Sequence, residues 1–380
     1  MNKSKQSTRR DLLKTIGAGA IAASVGACAP ASIRPGGFAR VYSRKPLLAP
    51  RVSMDNVIRA IVGHRPFRPS GFVVKGEKFD DKLIVHNYGH GGGGITLSWG
   101  SSALAVRETM GMEKGNAAVV GGGVMGLTSA RLLQDAGWNV TIYTKNVARH
   151  ATSNVAGGQW SPASVYEPGE ATPAFLSQLN WAARISHHAQ TNLGGPDYGI
   201  HWTENYFLRS RPFSEEQEEL DLSDLFPFDH EYGPGEHPFA SPYVRVNLTM
   251  MVEPATFLRR LTEDFHQAGG TLKIRDFKDR DEVLSLDENV IFNCTGLGAK
   301  ALFGDEELTP VKGQLVFLPP DPDVDYLTIG GGEGLLYMFS RSDAVALGGT
   351  SKKGDWTTHV EPEETARIVA GHQKIFAGMA

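Results

Sequence analysis

The stretch whose reading decides the fold is AAVVGGGVMGLTSARLLQDAG, residues 117–137. Its four apolar residues, Ala117 to Val120, form a short buried-strand run, and Gly121-Gly122-Gly123-Val124-Met125-Gly126 forms a turn. Val124, Leu127, Ala130 and Leu133 then recur at helical spacing until Gly137 stops the helix. NVTIY, residues 139–143, is a second strand. Strand, glycine turn, helix and strand open a βαβ unit of the dinucleotide-binding kind. The glycines permit the tight turn and let backbone amides at the helix N-terminus reach a pyrophosphate. Nicotinamide sites usually end the second strand in Asp or Glu, which holds the ribose. Here that end reads Tyr143-Thr144-Lys145. A nicotinamide dehydrogenase is thereby disfavoured, and the cofactor must be held by other contacts.

Beyond the unit, residues 254–268 place Phe257, Leu258, Leu261 and Phe265 on one helical face and end at Gly269-Gly270. TLKIRDF (271–277) and NVIFNCTG (289–296) read as further strands. GQLVFL, GLLYMFS and AVALGGT, the last two joined by Arg341-Ser342-Asp343, read as antiparallel strands. Two regimes emerge: an α/β nucleotide-binding part and a mostly antiparallel second sheet. The acidic run SEEQEELDLSD (214–224) is most simply a solvated helix.

The 380 residues suffice for one large or two ordinary domains, and the 41% hydrophobic and 21% charged content is that of a globular chain. A net charge of −4 leaves no electrostatic footprint for nucleic acid. At the N-terminus, Thr8-Arg9-Arg10-Asp11-Leu12-Leu13-Lys14 precedes an apolar small-residue stretch, 15–27, too short to span a membrane. The paired arginines resemble a twin-arginine export signal, and Val25-Gly26-Ala27-Cys28 resembles a lipobox in which Cys28 carries the lipid. An ordinary cleaved signal with an incidental cysteine is the alternative. Residues 1–27 are then an export signal and 28–47 a tether rich in Pro, Ala, Ser and Arg, which predicts a folded, lipid-anchored protein of the bacterial periplasm or cell envelope. With Cys28 lipidated, Cys294 is left alone and no disulfide can form.

One further stretch stands out upstream of the fingerprint. HNYGHGGGGITLSWG (86–100) combines histidines, an aromatic residue and four consecutive glycines with a strand-like run ending at Trp99-Gly100. Such composition suits backbone pressed against a flat ligand. This stretch resembles the C-terminal flavin segment of the D-amino-acid oxidase and D-aspartate oxidase family. GHRPFRP (63–69) resembles the GxRPxRP segment that supplies that family's substrate-binding arginine. TSNVAGGQWSP (152–162) is similar to its flavin-hugging loop, NCTG (293–296) to a strand turn near its FAD, and LGGTSKKGDW (347–356) to a strand of its substrate domain.

The order of these motifs departs from the family, which carries the RPxRP and HNYGHG segments last. Here both precede the fingerprint, and the chain stops soon after Gly354-Asp355-Trp356. The residues after Trp356, together with 48–62, approximate the helical stretch that the family places between these motifs. A circular permutation accounts for this, with ETMGMEKGN (108–116) as the new connection. It predicts Gly91–Thr96 beside the 157–159 loop. The implied fold class is α/β, a permuted two-domain arrangement of a Rossmann-type FAD-binding domain and a mostly antiparallel substrate-binding sheet. Residues 48–115 are expected to form the permuted segment packing into the FAD domain. That domain takes 116–165 and 251–310, with 355–380 as its C-terminal helix, and the substrate domain takes 166–250 and 311–354.

The resemblance implies FAD-dependent oxidative deamination of a D-amino acid, with oxygen or a quinone as electron acceptor. Arg65 matches the carboxylate-clamp arginine, a role suited to a planar guanidinium. Tyr337 matches the tyrosine whose hydroxyl assists it, and Gly92 the position whose carbonyl accepts from the substrate amine. Arg68 is the alternative clamp, or a structural surface partner. Cofactor contacts carry over to Gly121, Gly123, Val124, Met125 and Gly126 in the fingerprint and to Gly157, Gly158 and Gln159 in the loop. Gly91, Gly94, Ile95 and Thr96 in the glycine run and Gly296 complete them.

Two features depart from that pattern or compete with it. The second pocket tyrosine of D-amino-acid oxidases, four residues before Tyr337, is here Glu333, which either faces the pocket and favours a cationic or polar side chain or sits in a solvated glycine loop. His86 and His90 lie near the site, but their segment is too glycine-rich to align a helical pair and no carboxylate or cysteine joins them; structural or flavin-edge roles suit them better than metal ligation. Two other functions stay open: a glycine- or sarcosine-type amine oxidase, for which Arg65 matters less, and a non-catalytic lipid-anchored flavoprotein of electron transfer.

Overall fold

The computed structural model describes residues 46–146, 152–213 and 219–379. The export signal, most of the tether with Cys28, and the first half of the acidic run lie outside the described residues. No helix of the described residues is long and apolar enough to cross a membrane.

The chain enters on β1 (Arg59–Phe67), then β2 (Val73–Phe79) and β3 (Lys82–Tyr88), and reaches α1 (Gly94–Arg107) through a short turn of Gly91–Gly93. The fingerprint unit follows as β4 (Asn116–Val120), α2 (Val124–Asp135) and β5 (Asn139–Thr144). After α3 (Pro173–Asn192) come β6 (Ile200–Arg209), β7 (Asp229–Tyr232) and β8 (Tyr243–Val252). Then follow α4 (Pro254–Gln267), β9 (Thr271–Ile274), α5 (Arg280–Leu284), β10 (Val290–Asn293) and α6 (Gly298–Phe303). The last part is β11 (Thr309–Leu318), β12 (Tyr326–Gly330), β13 (Tyr337–Ser340), β14 (Val345–Gly348), β15 (Lys352–Lys353) and α7 (Pro362–Phe376).

Six strands form a sheet in the order β2-β3-β10-β4-β5-β9, parallel except for the β2–β3 hairpin. Its central strands β10 and β4 are buried on both faces, as crossover-connected strands must be, whereas the edge strands β2 and β9 are partly exposed. Ala117 and Val119 point into a core shared with α1 to α4, whereas Ala118 and Val120 point to Phe277, Val283 and Leu286 on the other side. β10 lies between β3 and β4, with Phe292 opposite Val85 on one side and Val119 on the other. The second sheet runs β1-β11-β14-β13-β12-β6-β8-β7, with β15 also on β11, and only the β12–β6 pair is parallel.

Several expectations need correction. ITLSWG is not a strand: the strand is the preceding KLIVHNY, and Ile95 to Gly100 open α1. Alternating apolar residues mimic a strand there because small residues hide the helical face. A Cβ on Gly100 would come within 1.9 Å of the Ala182 carbonyl oxygen, so α1 and α3 pack backbone to backbone. Residues 48–115 do not pack into the cofactor part as a whole, since β1 pairs with β11 in the second sheet along its full length. The C-terminal helix α7 packs on that sheet too, burying Ile368, Val369, Ile375 and Phe376 against Val316, Leu336 and Leu347. Conversely α3, placed by its number in the substrate part, packs on α1 through Leu179, Ala182 and Ala183. The described end of the acidic run carries only a single turn of 3-10 helix, Ser223–Leu225.

Candidate functional site

A cavity of about 590 Å³ opens at the C-terminal edge of the six-stranded sheet and extends to the second sheet. It lies where the chain order of the strands reverses, between β10 and β4, the usual ligand crevice of an open parallel sheet. Gly121 sits there at φ +113, and a Cβ on it would lie 2.3 Å from the Cys294 carbonyl oxygen. Glycine is thus required for the β4 turn to close against the β10 turn.

Two long helices, α1 and α2, begin at this cavity, with Gly94 and Ile95 at one N-terminus and Val124 and Met125 at the other. First-turn amides have no partner inside a helix and carry the positive end of its dipole. The wall therefore offers two places for negative charge. A Cβ on Gly94 would meet nothing within 4 Å, and one on Gly296 (φ +58) nothing nearer than Pro66 at 4.0 Å. These are positions where space is left for something other than protein. An extended cleft with bare backbone and two anion-receiving helix ends fits a flavin dinucleotide: the α2 N-terminus would suit its pyrophosphate, and the glycine run would leave room for a flat ring.

Of the residues expected from sequence, Arg65, Tyr337, Gly91, Gly92, Gly94, Ile95, Gly121, Gly123, Val124, Met125, Gly157 and Gly296 line this one cavity. Gly126, Gly158, Gln159 and Thr96 do not line it, and each holds the wall from behind. A Cβ on Gly126 would sit 1.8 Å from the Gly121 oxygen, so its absence lets α2 close on the turn. Gly158, at φ +98, lies against the Val252 carbonyl, and Gln159 bridges to Met251. Thr96 exchanges hydrogen bonds with Ser161, its hydroxyl donating to the carbonyl and accepting from the amide, both at 3.0 Å. Gly92 donates its N–H to the Ser164 carbonyl at 3.0 Å. The glycine run thus lies against residues 161–164, directly after the 157–159 loop.

Arg65 comes from β1 and Tyr337 from β13, two strands of the second sheet separated by β11 and β14. The guanidinium donates to the Tyr337 hydroxyl at 3.2 Å and to the Thr350 carbonyl at 3.4 Å. Among the described residues it makes no ion pair. Arg68 is the opposite case, bound to Asp305 at 2.8 Å and Glu307 at 2.6 Å and to the Gly71 carbonyl. Of the two arginines of this segment, Arg65 is therefore the one whose charge is left without an ion pair among the described residues. Glu333 is exposed and does not line the cavity.

The two histidines are engaged in the fold. His86 accepts at Nδ1 from the Asn293 amide at 3.0 Å and faces Glu77 across β2 at 3.3 Å, with burial lowering its pKa. His90 meets the Ser101 hydroxyl at 2.7 Å, stacks on Phe72, and is held down to about 3 by burial. Among the described residues no group of three His, Cys, Asp or Glu side chains is placed to hold a metal.

Residues that sequence reasoning missed line the far end: Tyr143 and Thr144 at the end of β5 with Lys145 just after it, and Arg275, Asp276 and Lys278 after β9. The missing acid after the second strand was a hint that another element contributes there. Which element does so follows from the β5–β9 pairing, and no local pattern encodes it.

The profile of the family described as FAD dependent oxidoreductase matches residues 116–380. The chain is 31% identical over 260 residues to a D-amino-acid oxidase of Streptomyces coelicolor, covering 67% of this chain and 76% of that protein. It is 29% identical over 266 residues to human D-aspartate oxidase, covering 68% and 75%. Among solved structures, glycine oxidase from Geobacillus kaustophilus superimposes with a TM-score of 0.53 at 18% identity, over 70% of this chain and 80% of that one. At that identity the likeness is one of fold.

Proposed function

The chain belongs to the family of FAD-dependent oxidoreductases, and on that premise we propose that it deaminates D-amino acids oxidatively. The observation that carries this reading is Arg65, a guanidinium at the cavity wall with no carboxylate partner among the described residues and with its orientation fixed by Tyr337. A planar fork suits bidentate binding of the substrate carboxylate. The Tyr337 hydroxyl fixes the fork and offers a further hydrogen bond, and the Gly92 carbonyl receives an N–H of the substrate amine. So held, the substrate loses its Cα hydrogen with the bonding electron pair and an amine proton. The resulting imino acid reacts with water to give a 2-oxo acid and ammonia. FAD, when bound, supplies the acceptor for the electron pair, and oxygen, reduced to hydrogen peroxide, or a quinone is the final acceptor.

Anaerobic addition of D- and L-amino acids, glycine and sarcosine, followed by flavin absorbance at about 450 nm, tests the reading. Bleaching by D-amino acids supports it. Bleaching only by glycine or sarcosine assigns the amine-oxidase role, and bleaching by none a non-catalytic flavoprotein.

The order of elements is proposed to be a circular permutation. Support comes from the parallel pairing of β3 with β10 and from the family match, which begins at 116 and leaves Arg65 outside it. Moving residues 48–107 behind residue 379 through a flexible linker should preserve flavin binding; an insoluble, flavin-free product argues against it. Export is proposed from the paired Arg9-Arg10 and anchoring from Cys28. Replacing both arginines by lysine should retain the protein in the cytoplasm, and Cys28→Ala should release it from the membrane fraction.

A further inference from the structure

The fingerprint unit lacks the acid that normally ends its second strand, yet the cavity does not lack a carboxylate at that place. β5 and β9 are parallel neighbours with Thr144 opposite Ile274, and the Arg275 amide donates to the Thr144 carbonyl at 3.0 Å. Neighbouring strands lie only about 4.8 Å apart, so a side chain just past Ile274 covers the space beyond Thr144. That side chain is Asp276, which lines the same cavity as Gly121 and Gly122. Thr144 cannot take the role, because its hydroxyl donates to the Asn146 carbonyl at 2.7 Å and packs beneath Gly122. Lys145, at the acid's usual position, turns to Asp276 at 3.3 Å, and Lys278 meets the same carboxylate at 2.8 Å. Both ammonium groups reach Oδ2, leaving Oδ1 without a partner among the described residues.

We propose that Asp276 is the acceptor for the ribose hydroxyls of the cofactor's adenosine half, delivered from β9 in place of the acid missing after β5. The proposal rests on the FAD reading and adds the residue that discriminates the dinucleotide from its flavin half. The two lysines anchor the carboxylate, leaving Oδ1 free for a hydroxyl. Their contact, Lys278 first, also shifts the Asp276 carboxyl below the usual carboxylate range, which favours the ionised, hydrogen-bond-accepting form.

The experiment titrates the flavin-stripped protein with FAD, with FMN, which lacks the adenosine, and with ADP as competitor. Asp276→Ala should weaken FAD and ADP by the same factor, about 10- to 100-fold for a charge-assisted hydrogen bond, and leave FMN unchanged. Asp276→Asn, which preserves shape, should lose most of the same factor. Lys145→Ala should leave FAD within about threefold, since that lysine only anchors the carboxylate. Unchanged FAD affinity in Asp276→Ala, equal weakening of FAD and FMN, or a larger loss in Lys145→Ala than in Asp276→Ala overturns the proposal while the cofactor reading stands. Wild-type protein that takes up no FAD overturns both.

Discussion

The Arg65 guanidinium and the Tyr337 hydroxyl meet at 3.2 Å, although 272 positions separate them in the chain. The contact exists because β1 and β13 flank β11 and β14 in one sheet, so both side chains reach the same end of one cavity. Removing the guanidinium with Arg65→Ala should lower kcat/KM for a D-amino acid by about 100- to 1,000-fold, the size of a lost bidentate charge-assisted contact. Arg65→Lys should recover only part, because a point charge lacks the fork. Tyr337→Phe should cost about tenfold. Bound flavin should be retained in all three, and wild-type kcat/KM in Arg65→Ala would remove Arg65 from the site.

The glycines divide into those that give the protein its shape and those that leave room for a ligand. Gly126→Ala would place a Cβ 1.8 Å from a backbone oxygen, so it should lower Tm by several degrees or prevent folding. Gly94→Ala meets no protein atom within 4 Å. It should leave the Tm of the flavin-free protein within a degree or so while weakening FAD. Calorimetry with a flavin titration checks both, and equal effects on both quantities in Gly94→Ala would contradict the assignment.

Acid should destabilise the fold through its buried histidines. Burial lowers the pKa of His86, His90 and His372, with His90 held down to about 3, whereas unfolding returns each to the ordinary 6.5. Below 6.5 the unfolded chain binds protons that the native chain refuses, so stability should fall as pH drops from 6.5 and these groups should add no slope above it. His90→Gln should flatten the dependence of Tm on pH between about 4 and 6.5. An unchanged slope would assign the acid sensitivity to other groups.

Cys294 should be inert in the native state. Its thiol is buried, donates to the Ser129 hydroxyl at 3.7 Å, and is pushed up to about 12 by desolvation. Alkylation at pH 8, followed by mass spectrometry of the Cys294 peptide, should be slow in the native protein and fast in denaturant. Rapid native labelling would show that the β10 turn opens to solvent.

The sequence by itself determined what local pattern can encode. Glycines 121, 123 and 126 fixed the turn and its ligand class, and Phe257, Leu258, Leu261 and Phe265 announced the buried face of α4. RPFRP marked Arg65 and Arg68 through its resemblance to a family segment, but the pairing of Arg68 with Asp305 and Glu307 is seen only in the structure. The tertiary structure decided what depends on partners far along the chain. ITLSWG became a helix because Gly100 and its small neighbours let α1 press on α3, a fact invisible in the alternation of its own residues. β1 left the cofactor part for the second sheet because its backbone finds β11 there. The carboxylate missing after Thr144 came from Asp276, since strand pairing sets adjacent ends side by side whatever their distance in sequence. Periodicity reports which face of an element is buried, whereas the identity of what buries it is a property of the assembled sheets.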